Sequence, residues 1–226
     1  MTWDPVWEKV FSSQAWGKYP GEDLIRFVAR HFYRHPDRAR IKLLEVGCGP
    51  GANLWFMARE GFSVAGVDGS PTAIQQARRR LDLECPGWKG ELHCGDISRL
   101  PFADASFDAV IDNEAVYCNP VDVSRAIYAE MALVTRPGGK LYSRTFANGS
   151  WGDGTGTHTG HNAWVVAEGP LHGKGYSRFT GRAEIAALVQ GFTVIEVELL
   201  TRSYEQETRT VREWLIGGVK PAGETE

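Results

Sequence analysis

Leu43-Leu44-Glu45-Val46-Gly47-Cys48-Gly49-Pro50-Gly51 is an apolar run that ends in three closely spaced glycines. A short buried strand, Ile41 to Val46, that runs straight into such glycines lets the backbone turn sharply and leaves no side chain between it and a ligand. The amides of the helix that follows, an apolar one through Ala58, then point at that ligand. Gly47, Gly49 and Ala52 formally satisfy a dinucleotide fingerprint. Two acids refine that reading. Glu45 stands two residues before the first glycine, where a pyrophosphate gains nothing from a negative charge but a sulfonium or ammonium group does. Asp68 closes a second strand, Phe62 to Val67, where a carboxylate can accept both hydroxyls of a ribose. Asp68 alone suits NAD as well as an adenosyl ligand. Glu45 and Asp68 together favour an adenosyl sulfonium.

Outward from this turn, strand and helix signals alternate. Ser70 offers an N-cap with Pro71 in the first turn, ahead of a helix carrying Ile74, Ala77 and Leu81 on one face. Glu91 to Cys94 and Phe107 to Ile111 read as the third and fourth strands. Val123, Ala126, Ile127, Met131 and Val134 mark a helix that Pro137-Gly138-Gly139 should stop, and Lys140 to Phe146 is strand-like. The alternation predicts parallel strands with crossover helices on both faces of one sheet. Before the turn, Trp3, Val6, Trp7, Val10 and Phe11 recur at helical spacing, as do Leu24, Ile25, Val28, Ala29 and Phe32. Trp16-Gly17-Lys18-Tyr19-Pro20 separates the two predicted helices. After it, residues 148–175 hold eight glycines and read as a long irregular loop, functional or mobile. Ile185, Leu188 and Val189 suggest one more helix. Phe192 to Leu200 and Thr208 to Gly217 read as a closing hairpin.

Composition sets the frame. A globular chain of 226 residues buries about 70–75% of its unfolded surface and needs no disulfide or structural metal to hold a core. Hydrophobic residues at 42% and charged residues at 23% exclude a wholly disordered chain. No apolar run approaches the roughly 18 residues of a membrane span, and Met1-Thr2-Trp3-Asp4-Pro5 lacks signal-peptide character. Cys48, Cys85, Cys94 and Cys118 form no C-x-x-C pair, so reduced thiols in a soluble cytoplasmic protein are the expectation. A net charge of −3 argues against a general polyanion binder.

Over residues 41–146 the sequence resembles the class I S-adenosylmethionine-dependent methyltransferases. The resemblance rests on Leu43 to Gly51, on Val64-Ala65-Gly66-Val67-Asp68-Gly69-Ser70, and on Cys94-Gly95-Asp96-Ile97 with Leu100-Pro101-Phe102. Phe107-Asp108-Ala109-Val110 and Arg136-Pro137-Gly138-Gly139-Lys140-Leu141 follow in the same order and spacing. It implies an α/β three-layer sandwich with a seven-stranded, mostly parallel sheet ending in an antiparallel hairpin, plus N-terminal cap helices. One methyltransferase domain would cover 1–226: a helical cap over 1–40, a cofactor-binding core over 41–146, and an acceptor-side loop, helix and hairpin over 147–226. The implied cofactor is S-adenosyl-L-methionine, with S-adenosyl-L-homocysteine as product. Gly47, Gly49 and Gly51 would approach its methionine part. Asp68 would bind the ribose beside Gly69 and Ser70, Asp96 and Ile97 would flank the adenine, and Asp112 would lie near the amino group or the acceptor. Glu45 and Tyr19 complete the expected cofactor-binding set. Asp112-Asn113-Glu114-Ala115-Val116-Tyr117 is more acidic than many relatives at this place.

The candidate bases are His158, His161, His172 and Tyr117; the plain alternatives are solvated loop histidines and a core tyrosine. His158 and His161 have the spacing of a metal pair, but no cysteine or paired carboxylate completes a tetrahedral site, so no metal is expected. Arg26, Arg30, Arg34, Arg38 and Arg40 read as a solvated face rather than a nucleic-acid contact. Trp3, Trp7 and Phe11 read as core or lid. The expected reaction is methyl transfer to an oxygen or nitrogen of a small-molecule acceptor such as a metabolite, natural product or sugar, by a monomer or homodimer with no membrane partner. The alternatives are an RNA or protein acceptor, a non-catalytic adenosyl-binding module, and an NAD-dependent oxidoreductase. Asp112-Asn113-Glu114-Ala115 stands where an Asn-Pro-Pro-Tyr-like tetrad would mark amide or base-amine methylation.

Overall fold

The structure is a computed structural model that describes residues 3–222. Two helices, α1 (Val6–Ser13) and α2 (Glu22–Phe32), precede the sheet. The chain then alternates β1 (Lys42–Val46), α3 (Ala52–Arg59), β2 (Ser63–Asp68), α4 (Pro71–Glu84), β3 (Gly90–Cys94) and β4 (Phe107–Asn113), followed by α5 (Val121–Val134) and β5 (Thr135–Phe146). Three short strands come next: β6 (Thr157–Gly160), β7 (Ala163–Val165) and β8 (Tyr176–Arg178). The short helix α6 (Ile185–Leu188) leads into β9 (Thr193–Tyr204) and β10 (Arg209–Val219).

The main sheet has seven strands in the order β3-β2-β1-β4-β5-β10-β9. The first five run parallel, while β10 lies antiparallel to both β5 and β9. Leu43, Leu44 and Val46 are all fully buried because both faces of β1 are covered, as parallel strands require. Leu43 and Ile111 face Val28, Leu54, Met57 and Ala77 from α2, α3 and α4. Leu44 and Val110 face Ile127, Met131 and Leu188 from α5 and α6. Strand order reverses between β1 and β4, and in such sheets the crevice beyond the carboxyl ends of these strands is where ligands bind.

Two expectations need correction. Pro137-Gly138-Gly139 does not separate helix from strand, since β5 already begins at Thr135. The reason lies at the far end of β10: Gly138 N donates to the Lys220 carbonyl and Lys220 N to the Gly139 carbonyl, both at 2.9 Å, so the segment is held as sheet. Residues 148–175 are not irregular throughout. Together with β8 they build an antiparallel sheet, β6-β7-β8, over an apolar cluster of Tyr117, Phe146, Val166, Leu171, Phe179 and Val211. The glycines allow this close packing. A Cβ at Gly156, whose φ is +74°, would fall 2.2 Å from the Val165 carbonyl oxygen.

Candidate active site

A cavity of about 280 Å³ opens at the carboxyl ends of β1, β2 and β4, within reach of the ~300–1,000 Å³ typical of ligand sites. Its floor is the glycine turn. Gly47 has a φ of +62°, and a Cβ there would stand 2.2 Å from the Ala115 Cβ, so the turn after β1 and the turn after β4 pack directly on each other.

Glu45 lines the cavity at 2% exposure. Asn53, in the first turn of α3, donates to its Oε1 at 2.5 Å, while Oε2 has no partner. Burial pushes the Glu45 carboxyl up to about 8; the Asn53 hydrogen bond opposes this, and the Asp68 and Asp112 charges add to it. Asp68 is fixed from both sides, accepting from Gly49 N and from Ser70 N at 2.8 Å each. Burial raises its carboxyl and those two backbone bonds lower it. Since a carboxylate offers about four acceptor sites, Asp68 keeps capacity for a ligand.

The other wall is the turn 113–117. Glu114 adopts a left-handed φ of +60°, uncommon for a residue with a side chain. Its amide donates to the Arg144 carbonyl at 2.9 Å, and its carboxylate meets the Arg144 Nε at 2.9 Å. The same guanidinium forks onto Glu213, with Nε to Oε1 at 3.0 Å and Nη2 to Oε2 at 2.5 Å. The cover comes from α1 and the segment after it, through Trp7, Phe11, Trp16 and Tyr19, and from Leu171 and Lys174 on the opposite side. Glu8 anchors α1 across the start of α4: the Ser70 hydroxyl donates to it, and Thr72 Oγ1 donates at 2.5 Å.

The structure brings Glu45, Gly47, Gly49, Asp68, Gly69, Ile97, Tyr117 and Tyr19 to the cavity wall. Gly51 sits behind it, where a Cβ would meet the Ala77 Cβ at 2.9 Å. Ser70 is outside it, its hydroxyl accepting from Ala73 N as the N-cap of α4. Asp96 shapes a turn by accepting from the Ser98 amide and hydroxyl. Asp112 is fully buried and outside the lining; its carboxylate accepts from the amides of Ala115 and Val116 and the hydroxyls of Tyr128 and Ser143. The three loop histidines are not on the wall either. His158 lies in β6 and packs edgewise on Trp164, His161 in the turn after β6 bonds Glu184, and His172, in the connection between β7 and β8, turns back through its amide to Gly169. Tyr117 is at the wall, and burial pushes its hydroxyl well above the usual range, which leaves it a neutral donor. Among the described residues no cluster of three His, Cys, Asp or Glu is placed to hold a metal ion.

A family model described as a methyltransferase domain matches residues 43–139, from the start of β1 into β5. The malonyl-[acyl-carrier protein] O-methyltransferase of Pseudescherichia vulneris is 30% identical over 69% of this chain and 55% of its own length. These matches support a class I S-adenosylmethionine-dependent methyltransferase domain within this chain. A demethylmenaquinone methyltransferase of Tropheryma whipplei is 37% identical over 47% of this chain and 42% of its own length, so the chain spans about half the length of the curated relatives it matches. A solved SAM-dependent methyltransferase from Methanosarcina mazei shares the fold, with a TM-score of 0.67 at 20% identity over 85% of this chain and 97% of that one.

The sequence did not assign Asn53, Glu114 or Lys174 to the cavity wall, nor Arg144 to the contact behind Glu114. Asn53 had a signal, because the first turn of the helix after a glycine turn faces back toward the strand end. Arg144 and Glu213 come together only through the antiparallel pairing of β5 and β10, which no local pattern reveals. No described helix is long and apolar enough to cross a membrane.

Proposed function

We propose that the protein transfers the methyl group of S-adenosylmethionine to an oxygen or nitrogen of a small-molecule acceptor. The observation that carries this reading is the unpartnered buried oxygen of Glu45, a residue that shares the cavity wall with the glycine turn. That arrangement fits a ligand with a positive charge beside the turn and a ribose beside Asp68, and it disfavours a pyrophosphate. When bound, the cofactor supplies a methyl carbon already activated by its sulfonium. The chain's part is to hold both reactants in line and to exclude water, which is worth roughly 7–11 kcal/mol for well-oriented groups. Gly47 and Gly49 let the backbone approach the ligand, Asp68 and Gly69 receive the ribose, and Gly95 and Ile97 border the adenine end. Trp7, Phe11 and Trp16, packed on one another with ring centroids 5.2–5.9 Å apart, cover the opening.

The acceptor is sought by incubating purified protein with methyl-labelled cofactor and an extract of its host, and identifying labelled products by mass spectrometry. Tighter binding of NAD than of S-adenosylmethionine would sink the reading.

Glu45 also gives a proton signature. Its carboxyl is raised in the folded protein, so it favours the fold below the ordinary carboxylate range and that contribution is lost as pH rises toward 8. A cation bound beside it draws the carboxyl back down. At pH 7, S-adenosylmethionine binding is therefore expected to release close to one proton, measured by calorimetry in buffers of different ionisation enthalpy. Glu45→Gln should abolish that release and flatten the stability loss between pH 5 and 8.

A further inference from the structure

We propose that Glu114, held by Arg144 against Glu213, is the catalytic base that takes the acceptor's proton, and that the acceptor is a flat apolar molecule bearing a weakly acidic hydroxyl of the phenol or enol class. This rests on the methyltransferase reading and adds the substrate class and the base.

Geometry places Glu114. Its neighbour Ala115 packs against Gly47, so Glu114 stands on the cavity wall next to the turn that meets the glycine turn, with its carboxylate on Arg144. The left-handed backbone at Glu114 is strained for a residue with a side chain, and such strain persists where the surroundings over-determine it. Here the Arg144 carbonyl and guanidinium grip the residue at both ends. Arg144 is itself 6% exposed and pinned by Glu213, which makes it a positioning residue with no free reach.

Electrostatics suits the role. Two carboxylates share one guanidinium; Lys174, from the loop, faces them, and Asp4 stands on the same cavity wall. Burial, with Glu213 adding and Arg144 and Lys174 opposing, brings the Glu114 carboxyl to about 8. A base is most effective when its pKa lies near the operating pH and near that of its partner. A phenol, at about 10, is close; a hydroxyl like that of bulk water, near 15.7, is remote. Tyr117, Phe146, Leu171, Trp7 and Trp16 give the wall flat or apolar faces, with Asp4, Asn113 and Asn119 as polar points between them. In the step, the acceptor's proton passes to a Glu114 oxygen as the acceptor oxygen bonds the transferred carbon. The electron pair of the broken carbon–sulfur bond stays on sulfur, and the proton leaves Glu114 to water.

The test compares wild type with Glu114→Gln and Glu114→Asp. The probes are S-adenosylhomocysteine binding, methyl-labelled cofactor with a panel of simple phenols and aliphatic alcohols, and ¹³C-carboxyl NMR of labelled glutamate. Wild type should methylate phenols on a rising pH limb near 8, and a Glu114 carboxyl should titrate over the same range. Glu114→Gln should lose roughly 100-fold in rate, keep S-adenosylhomocysteine affinity within about threefold, and recover on a nitrophenol already ionised at the assay pH. Glu114→Asp should fall between. An undiminished rate in Glu114→Gln, a Glu114 resonance titrating in the ordinary carboxylate range, or a preference for aliphatic alcohols overturns the inference while leaving methyl transfer intact. A wild type that labels nothing in panel or extract overturns both readings.

Discussion

Gly47→Ala is expected to weaken S-adenosylhomocysteine binding by roughly 100-fold, two tenfold steps of about 1.4 kcal/mol each. Two effects combine. A left-handed backbone costs a residue with a Cβ about 1–2 kcal/mol, and the new methyl would stand 2.2 Å from the Ala115 Cβ. That overlap cannot persist, so the two turns must part. They are not free to part locally: Cys48 N is bonded to the Val67 carbonyl at 3.1 Å, and the other turn is tied through Asp112. The displacement therefore reaches Glu45 and Asp68, which must meet the two ends of one ligand. Gly138→Ala separates the contributions, because Gly138 also has a positive φ, +75°, but nothing lies within 4 Å of its Cβ position. Titration calorimetry and thermal unfolding of both variants read the difference. Gly138→Ala should lose stability and keep its affinity; Gly47→Ala should lose both. Affinity within threefold of wild type in Gly47→Ala would mean that this turn is not the cradle.

What could be read in the sequence was what depends on period and on short-range chemistry. The parallel core was legible because β1, β2 and β4 are near-continuous apolar runs and because Ser70-Pro71 announces α4. Glu45 and Asp68 were legible because each has a fixed offset from a glycine turn. The acceptor side was not. Residues 148–175 carry so many glycines that strand signals in β6 and β7 are diluted, and the histidines there drew attention as candidate bases. The charged residues on this side of the cavity instead sit where distant segments cross: Glu114 on β4's turn and Lys174 on the loop at the wall, with Arg144 on β5 and Glu213 on β10 behind Glu114. Their relation is one of sheet order, not of sequence spacing. The run Arg26 to Arg40 reads correctly as a surface in part, for Arg30 pairs with Glu196 and Arg38 with Glu60 across exposed or half-buried gaps.

Asp112→Ala is expected to cost about 3–5 kcal/mol of stability, the range for leaving buried partners unpaired. Asp112 is fully buried and accepts four hydrogen bonds, at 3.0 Å from the Ala115 and Val116 amides, 2.7 Å from Tyr128 and 2.8 Å from Ser143. Alanine would strand all four donors, each at roughly 1–3 kcal/mol if nothing relaxes. With Asp112 gone, one of the Tyr128 and Ser143 hydroxyls, whose oxygens stand 2.7 Å apart, can turn to donate to the other, which recovers part of the loss. For a chain of this size the change corresponds to a fall in Tm on the order of 10 °C. Asp112→Asn should lie between, since its amide keeps one acceptor but presents a second donor to a ring of donors. The resemblance to the family puts Asp112 near the cofactor's amino group or the acceptor, whereas its contacts make it the tie that shapes the turn bearing Glu114. Unfolding curves and S-adenosylhomocysteine titrations, both run well below the lower Tm, separate the two roles. A tie predicts that stability falls in both variants and that affinity loss follows the stability loss, because a loosened turn no longer seats Ala115 on Gly47. A ligand contact predicts an Asp112→Asn protein as stable as wild type with its affinity gone.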